Sequence, residues 1–299
     1  MSADDHSPLM SHLSRLYYVD GLTKQEIGDR LGLSRFKVAR LLDQARELGV
    51  VRFEIAEPLA VDTEASETLA RRFDLDLGVV VPDSDDPAAL ARAAAAWIPD
   101  LLPTDEPVGV GWGATLGQIA GLLPPLEGSR AVVQICGVIP GLERGTGPTE
   151  LAMRFAERLG GPLYALAAPA MTGRAAHREL LDNEVLRPTL AQFDKLGVAL
   201  VGIGAGERFP GAPADAAGHI LVHLFDDAGA PVTPGADNHA LAMTSEQLRA
   251  TRVIAVAGGA GKERAILGAL RSGLVDVLVT DRANAEYALE GAAAGAARA

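Results

Sequence analysis

A chain of 299 residues, 48% hydrophobic and 22% charged, has the material for one large core with a small module beside it. Its net charge of −12 excludes a protein that coats nucleic acid over its whole surface, and its single cysteine, Cys136, excludes an internal disulfide framework or a multi-cysteine zinc site. No apolar run reaches the length of a membrane span and no signal-peptide core follows the first residues, so the cytoplasm is expected and no membrane partner is.

Residues 1–7 are polar, and Leu9, Leu13, Leu16 and Tyr17 then share one helical face. Thr23 followed by Glu26 spells a capping box, with Leu22 and Ile27 placed as a hydrophobic staple. The helix that follows ends at Gly32, and Ser34 caps the next one, whose Val38, Leu41, Leu42, Ala45 and Leu48 predict a buried stripe. Two helices joined by a tight glycine-containing turn make a helix-turn-helix. Arg35, Phe36, Lys37 and Arg40 fall on the outer side or in the first turns of the second helix. Lys37 there opposes the helix dipole, and phosphate contact supplies a reason for it. Residues 23–52 hold seven basic and four acidic side chains, a local +3 in an acidic protein. That footprint points to DNA, with Arg35, Phe36 and Arg40 reaching bases, Ser34 and Lys37 positioning phosphates, and Thr23 a further DNA-binding candidate. The alternation of Val51, Phe53 and Ile55 predicts a short strand up to Pro58, hence a winged helix-turn-helix over 1–56, followed by a linker helix within 57–74.

From Leu75 the text changes to β-branched runs alternating with Ala/Leu-rich helices, the pattern of a parallel sheet covered on both faces. The fold class predicted is α/β: a small winged helix-turn-helix domain plus a large Rossmann-like α/β domain over 75–299. Strands are expected near Leu77–Val81, Val108–Trp112, Ala131–Cys136, Leu163–Ala168, Ala199–Ile203, Leu221–Phe225, Val253–Ala257 and Val275–Thr280. Helices are expected near Ala88–Leu102, Thr115–Leu123, Glu150–Leu159, Glu184–Leu196, Lys262–Arg271 and Ala283–Glu290.

Ligands of such sheets bind beyond the carboxyl ends of the strands. Gly111, Gly113, Ala114 and Thr115 form one glycine-rich strand-to-helix turn there, able to aim N–H groups and a hydroxyl at an anion. Gly202–Gly206 opens a Pro/Gly-rich loop, and Gly258–Gly261 leads to Lys262, one of only four lysines. This last turn is not a P-loop, since Val256 and Glu263 stand where a glycine and a Ser or Thr would be needed. Asp281 ends another strand, where it either accepts ligand hydroxyls or only caps the last helix, and Gln134 and Gly137 close the third strand. His219 and His223, read as one strand, would stand about 13 Å apart, too far for one metal. No nucleophile elbow or Cys–His pair is visible, and neither a cofactor nor a metal is expected.

Taken together, Leu22-Thr-Lys-Gln-Glu-Ile-Gly28, Val38-Ala-Arg-Leu-Leu42, Val110-Gly-Trp-Gly113 with Thr115-Leu116, Val133-Gln134, Val201-Gly-Ile-Gly204, Ala257-Gly-Gly259 with Lys262, and Val279-Thr-Asp281 resemble the SorC family of bacterial transcription regulators, sometimes grouped with DeoR-type sugar regulators. The resemblance implies a C-terminal effector domain similar to sugar-phosphate isomerases and glucosamine-phosphate deaminases, sensing a phosphorylated sugar, in a homo-oligomer (dimer or tetramer). By the same resemblance Thr115 and Lys262 would hold the phosphate, and Gln134 and Asp281 would face the sugar. The sequence departs from the family pattern at Ala114, His219 and Arg282, where Arg and two acids are usual. The expected function is therefore a non-enzymatic regulator of a carbohydrate-utilisation operon. Two rivals are a sugar-phosphate isomerase or deaminase with an appended helix-turn-helix, and an oligomerisation platform without a ligand.

Overall fold

The computed structural model describes residues 8–52, 61–140, 147–233 and 239–296. The chain divides into two compact units, Met1–Pro58 and Leu59–Ala299.

The first unit holds α1 (Pro8–Tyr18), α2 (Lys24–Leu31) and α3 (Arg35–Glu47). Leu13, Leu16, Ile27, Val38 and Leu42 form its core. Thr23 and Glu26 make the reciprocal capping box, and Gly32 ends α2 at φ 67, a left-handed value that a β-carbon disfavours. Ser34 accepts the Lys37 N–H as N-cap of α3. The buried stripe of α3 is Val38, Leu42 and Ala45, while Leu41 is half-buried and Leu48 exposed, a narrower stripe than the sequence predicts. Gly28 lets the turn close tightly: a β-carbon on it would sit 2.6 Å from the Leu33 carbonyl oxygen. Residues 50–52 carry no strand, and the rest of the expected wing, from Phe53 to Pro58, lies outside the described residues.

The second unit begins with α4 (Thr63–Phe73), which packs on the strand that follows it and on the last helix. The chain then runs through β1 (Leu77–Val81), α5 (Ala89–Leu101), β2 (Val108–Val110), α6 (Ala114–Leu122), β3 (Arg130–Gln134), α7 (Pro148–Leu159) and β4 (Gly160–Tyr164). Next come β5 (Met171–Thr172), α8 (Arg174–Leu181), α9 (Arg187–Leu190), β6 (Val198–Ala205), β7 (Gly218–Ile220), β8 (His223–Phe225), β9 (Pro231–Val232) and β10 (His239–Ala240). The chain ends with α10 (Ser245–Arg249), β11 (Arg252–Val256), α11 (Glu263–Arg271), β12 (Val277–Asp281) and α12 (Arg282–Ala296). Seven strands form a parallel sheet in the order β1-β12-β11-β6-β2-β3-β4, and β6 runs on into an antiparallel β7-β8-β9 extension. Successive residues of β6 feed opposite cores. Val198 and Leu200 pack with α5, α6 and α7, whereas Ala199 and Val201 pack on the side of α4, α11 and α12. Burial on both faces is why these strands read as unbroken apolar runs.

Three expectations are corrected. The strand expected at Leu221–Phe225 is a hairpin, β7 turning into β8 through Leu221 and Val222. Leu221 holds φ 54, a conformation that two-residue hairpin turns ordinarily give to glycine. The helix expected at Glu184–Leu196 is α9 plus a 3-10 turn at Phe193–Lys195, since Pro188 suits only the first turn of a helix. The strand expected at Leu163–Ala168 lies earlier, at Gly160–Tyr164. No helix of the described residues is long and apolar enough to cross a membrane.

Candidate functional site

In the first unit Ser34, Arg35, Phe36, Lys37 and Arg40 are all exposed along the start and outer face of α3. Phe36 is 86% exposed, an unusual setting for a large apolar ring. Among the described residues Arg35, Lys37 and Arg40 make no salt bridge, whereas Arg46 further along the helix pairs with Asp43. Thr23 is spent locally: its backbone N–H and its hydroxyl both donate to Glu26 Oε2 at 2.8 Å. The surface is thus three unpaired cations and one aromatic ring at a helix N-terminus, a shape and charge that suit a phosphate-lined groove.

In the second unit a cavity of about 440 Å³ lies beyond the carboxyl ends of β2, β6 and β11. It gathers Gly113, Ala114, Thr115, His219 and Lys262 of the expected residues. Gly113 reaches φ 133 at the start of α6, a region favouring glycine, and no side chain caps that helix. Gly111 lies beneath, where a β-carbon would come within 2.9 Å of Leu221 Cδ2.

One wall is aromatic. Trp112 stacks on His219 with ring centroids 5.2 Å apart, and Phe209 leans on the same imidazole at 5.0 Å. Trp112 Nε1 donates to the Leu221 carbonyl at 3.2 Å. His219 Nδ1 also lies 3.2 Å from that carbonyl. A carbonyl only accepts, so Nδ1 carries the proton and Nε2 is left as an acceptor. His219 is 5% exposed, and burial first, then the Lys262 ammonium, lowers its pKa to about 4. Gly204 makes room for this ring, since a β-carbon there would overlap His219 Nε2 at 1.8 Å.

The other wall is cationic. Lys262 Nζ donates to the Ile203 carbonyl at 2.5 Å. Burial lowers its pKa, Arg208 lowers it further, and Glu207 opposes them. Arg208 lines the cavity as a second cation, and among the described residues no carboxylate lines it. Sequence reading missed Arg208 and Trp112 as lining residues. Arg208 ends a 3-10 turn, Gly206–Arg208, that no motif marks, while Trp112 lies inside the Gly111–Gly113 turn and reads equally well as core.

Gln134, Gly137 and Asp281 are not brought to this cavity. Gln134 is fully buried, and its carboxamide acts as a strand partner: Nε2 donates to Leu166 O at 3.1 Å and Cys136 O at 2.8 Å, while Oε1 accepts from Leu166 N at 3.0 Å. With its amide used in this way it is not free for a ligand. Gly137 serves close packing, since a β-carbon would lie 2.6 Å from Ala168 O. Asp281 accepts from Gly259 N, from Asn284 N at 3.0 Å and from Asn284 Nδ2 at 2.7 Å, which is the capping role, and it lines a neighbouring cavity. His223 belongs to β8 and bonds Met243 O at 2.7 Å, apart from His219 on β7. Among the described residues no group of three or more His, Cys, Asp or Glu could hold a metal ion.

The family described as "Putative sugar-binding domain" matches residues 57–290, most of the chain. The chain belongs to that family. It is 29% identical over 300 residues to the transcriptional regulator LsrR of Escherichia coli O139:H28, covering 91% of this chain and 92% of that one. It is 28% identical to the Escherichia coli K12 transcriptional regulator YjhU, over 93% of each chain. The crystal structure of the full-length sorbitol operon regulator SorC from Klebsiella pneumoniae superposes with a TM-score of 0.70 at 27% identity, covering 94% of this chain and 98% of that one. These relatives make the chain a SorC/DeoR-type transcriptional regulator, as its sequence motifs indicate.

Proposed function

We propose that this regulator binds operator DNA through a helix-turn-helix formed by α2 and α3, and that an anionic, sugar-phosphate-like effector in the Lys262 cavity sets its operator affinity. The observation that carries the effector half is chemical: Lys262 and Arg208 line one cavity of about 440 Å³, and no carboxylate lines it among the described residues. A point cation and a guanidinium, together with the open N-terminus of α6, are complementary to a phosphate. The aromatic wall of Trp112 and His219 gives the apolar face of a sugar ring a surface to lie against. The DNA half is carried by the exposed Arg35, Phe36, Lys37 and Arg40 on a capped helix. The larger unit is read as a Rossmann-like effector and oligomerisation domain, and a homo-oligomer would present paired α3 helices to a two-fold-related operator. Coupling requires the effector to favour one of two arrangements by differential affinity.

An isomerase or deaminase gains nothing from the geometry. Lys262 and Asp281 line different cavities, and Asp281 is occupied by capping. Thermal unfolding with inorganic phosphate, a panel of sugar phosphates and the matched free sugars tests the effector half. Phosphorylated compounds are expected to raise the melting temperature of the wild type by mass action and not that of Lys262→Ala. Stabilisation that persists in Lys262→Ala, or that comes from the free sugars alone, would overturn the reading.

A further inference from the structure

His219 Nε2 is a polar atom of the Lys262 cavity that the fold leaves without a use. Its side chain is only 5% exposed, and it lines the cavity. Nδ1–H is committed to the Leu221 carbonyl, so Nε2 carries a lone pair and no proton. Nε2 has no hydrogen-bond partner among the described residues, yet it is not sealed from solvent as Asn284 Oδ1 and Thr280 Oγ1 are. Gly204 shows how the lone pair stays clear. A β-carbon on Gly204 would lie 1.8 Å from Nε2, 2.2 Å from Cε1 and 2.6 Å from Cδ2. An atom that close in line with the lone pair would be equally far from both ring carbons, and further from each than this. Gly204 therefore lies against the face of the imidazole, and the lone pair, which points outward in the ring plane, is unobstructed by it.

The rest of the lining cannot play this part. Lys262 and Arg208 only donate, and Thr115 can turn its hydroxyl either way. Two nearby carbonyls are taken: Leu221 O by Trp112 Nε1 and His219 Nδ1, and Ile203 O by Lys262 Nζ. Among the described lining residues His219 is thus the one side chain that accepts and cannot donate. Burial and the Lys262 ammonium keep its ring neutral at ordinary pH, so Nε2 does not become a donor. A desolvated acceptor without a donor is costly, and a bound donor removes the cost.

We propose that His219 reads a hydroxyl of the effector, accepting its hydrogen bond at Nε2, and so selects an alcohol over the matching ketone or deoxy compound. This rests on the reading that the Lys262 cavity binds the effector's phosphate. The division of labour follows from the donor and acceptor inventory. Lys262 and Arg208 hold the anion, and His219 tests what a carbon of the same molecule carries. A ketone oxygen at that place would set lone pair against lone pair, and a methylene would leave Nε2 desolvated and unpaired.

Calorimetric titration with two matched sets tests this. One is glycerol 3-phosphate against dihydroxyacetone phosphate and 3-hydroxypropyl phosphate, which differ only at the middle carbon; the other is ribose 5-phosphate against 2-deoxyribose 5-phosphate. In at least one set the compound with the extra hydroxyl is expected to bind about tenfold tighter, the size of a lost hydrogen bond that strands a buried acceptor. In nitrogen-15 spectra of histidine-labelled protein the same compound should move the unprotonated Nε2 resonance of His219 upfield, and its keto or deoxy partner should not. His219→Phe keeps an aromatic ring against Trp112 without the acceptor, and in it the ratio within the set should fall to about one. The wild-type spectra carry the test without that variant if it does not fold. Equal binding within both sets, a preference that leaves Nε2 unmoved or survives His219→Phe, or failure of every ester while inorganic phosphate binds in a Lys262-dependent way overturns the role of His219 alone. Failure of inorganic phosphate and of every ester overturns the phosphate reading, and the role of His219 with it.

Discussion

His219 is held neutral by its surroundings, and that has a measurable consequence. Its pKa falls from 6.5 to about 4, chiefly because burial penalises the imidazolium and secondarily because Lys262 is near. Between those values the unfolded chain binds a proton that the folded one refuses, so stability is full above pH 6.5 and is lost as pH falls through 4. The loss approaches about 1.4 kcal/mol per pH unit within that window. Denaturant unfolding from pH 7 to 4 should therefore show a shallower decline for His219→Gln than for the wild type; parallel declines would mean that the ring is not desolvated as described. A glycine makes a comparable point in the first unit. Gly28 faces the Leu33 carbonyl so closely that Gly28→Ala must push the α2–α3 turn apart. Overpacking of this kind costs about 1–3 kcal/mol, and an equal or higher melting temperature for Gly28→Ala would refute the tight turn.

Elements differed in how plainly the sequence announced them, for identifiable reasons. The capping box at Thr23–Glu26 and the Ser34 cap are local rules carried out by side chains three residues apart, and both helices start where those rules place them. The parallel strands were legible because both faces of each are buried, which leaves uninterrupted Val, Ile, Leu and Ala. The β7–β8 hairpin was hidden because its turn is Leu221-Val222, two residues with no turn signature, one of them in the left-handed region. The Leu221 carbonyl is the common acceptor of Trp112 Nε1, with His219 Nδ1 at the same distance, so the strained residue sits where the two aromatic side chains of the cavity wall meet. The glycine turns and Lys262 were readable from their place at strand ends, whereas Arg208 ends a 3-10 turn that no motif marks. Gln134 and Gly137 sit at a strand end as expected yet serve the backbone of neighbouring segments, a long-range pairing invisible in a local reading. For α3, the exposed cations predict that Arg40→Ala weakens specific DNA binding by about 1–3 kcal/mol and relaxes selectivity at one base pair, as read in a gel-shift or anisotropy titration. Unchanged affinity and selectivity would remove α3 from the recognition role.

At the scale of the whole molecule the charge is partitioned by task. A net −12 is carried alongside a local +3 over residues 23–52, and on the proposed reading that asymmetry would confine nucleic-acid affinity to one small module. The larger unit repeats the division on a smaller scale, with a cationic and an acidic cavity sharing Thr115 and Gly258 at the edge of one sheet. A ligand in the Lys262 cavity would touch the ends of β6 and β11 and the start of α6, so its binding energy could bias how these elements are arranged. That bias is what a regulator needs, and it links the cavity to DNA only if the two binding events are thermodynamically coupled. The most direct measurement is an anisotropy titration of a selected operator duplex with wild type and Lys262→Ala, with and without the phosphorylated compounds that stabilise the protein. Such a compound is expected to change operator affinity of the wild type by about 5–150-fold, the usual range of allosteric coupling, and to leave Lys262→Ala unmoved. An operator affinity indifferent to every stabilising compound, or an equal response in Lys262→Ala, would contradict it.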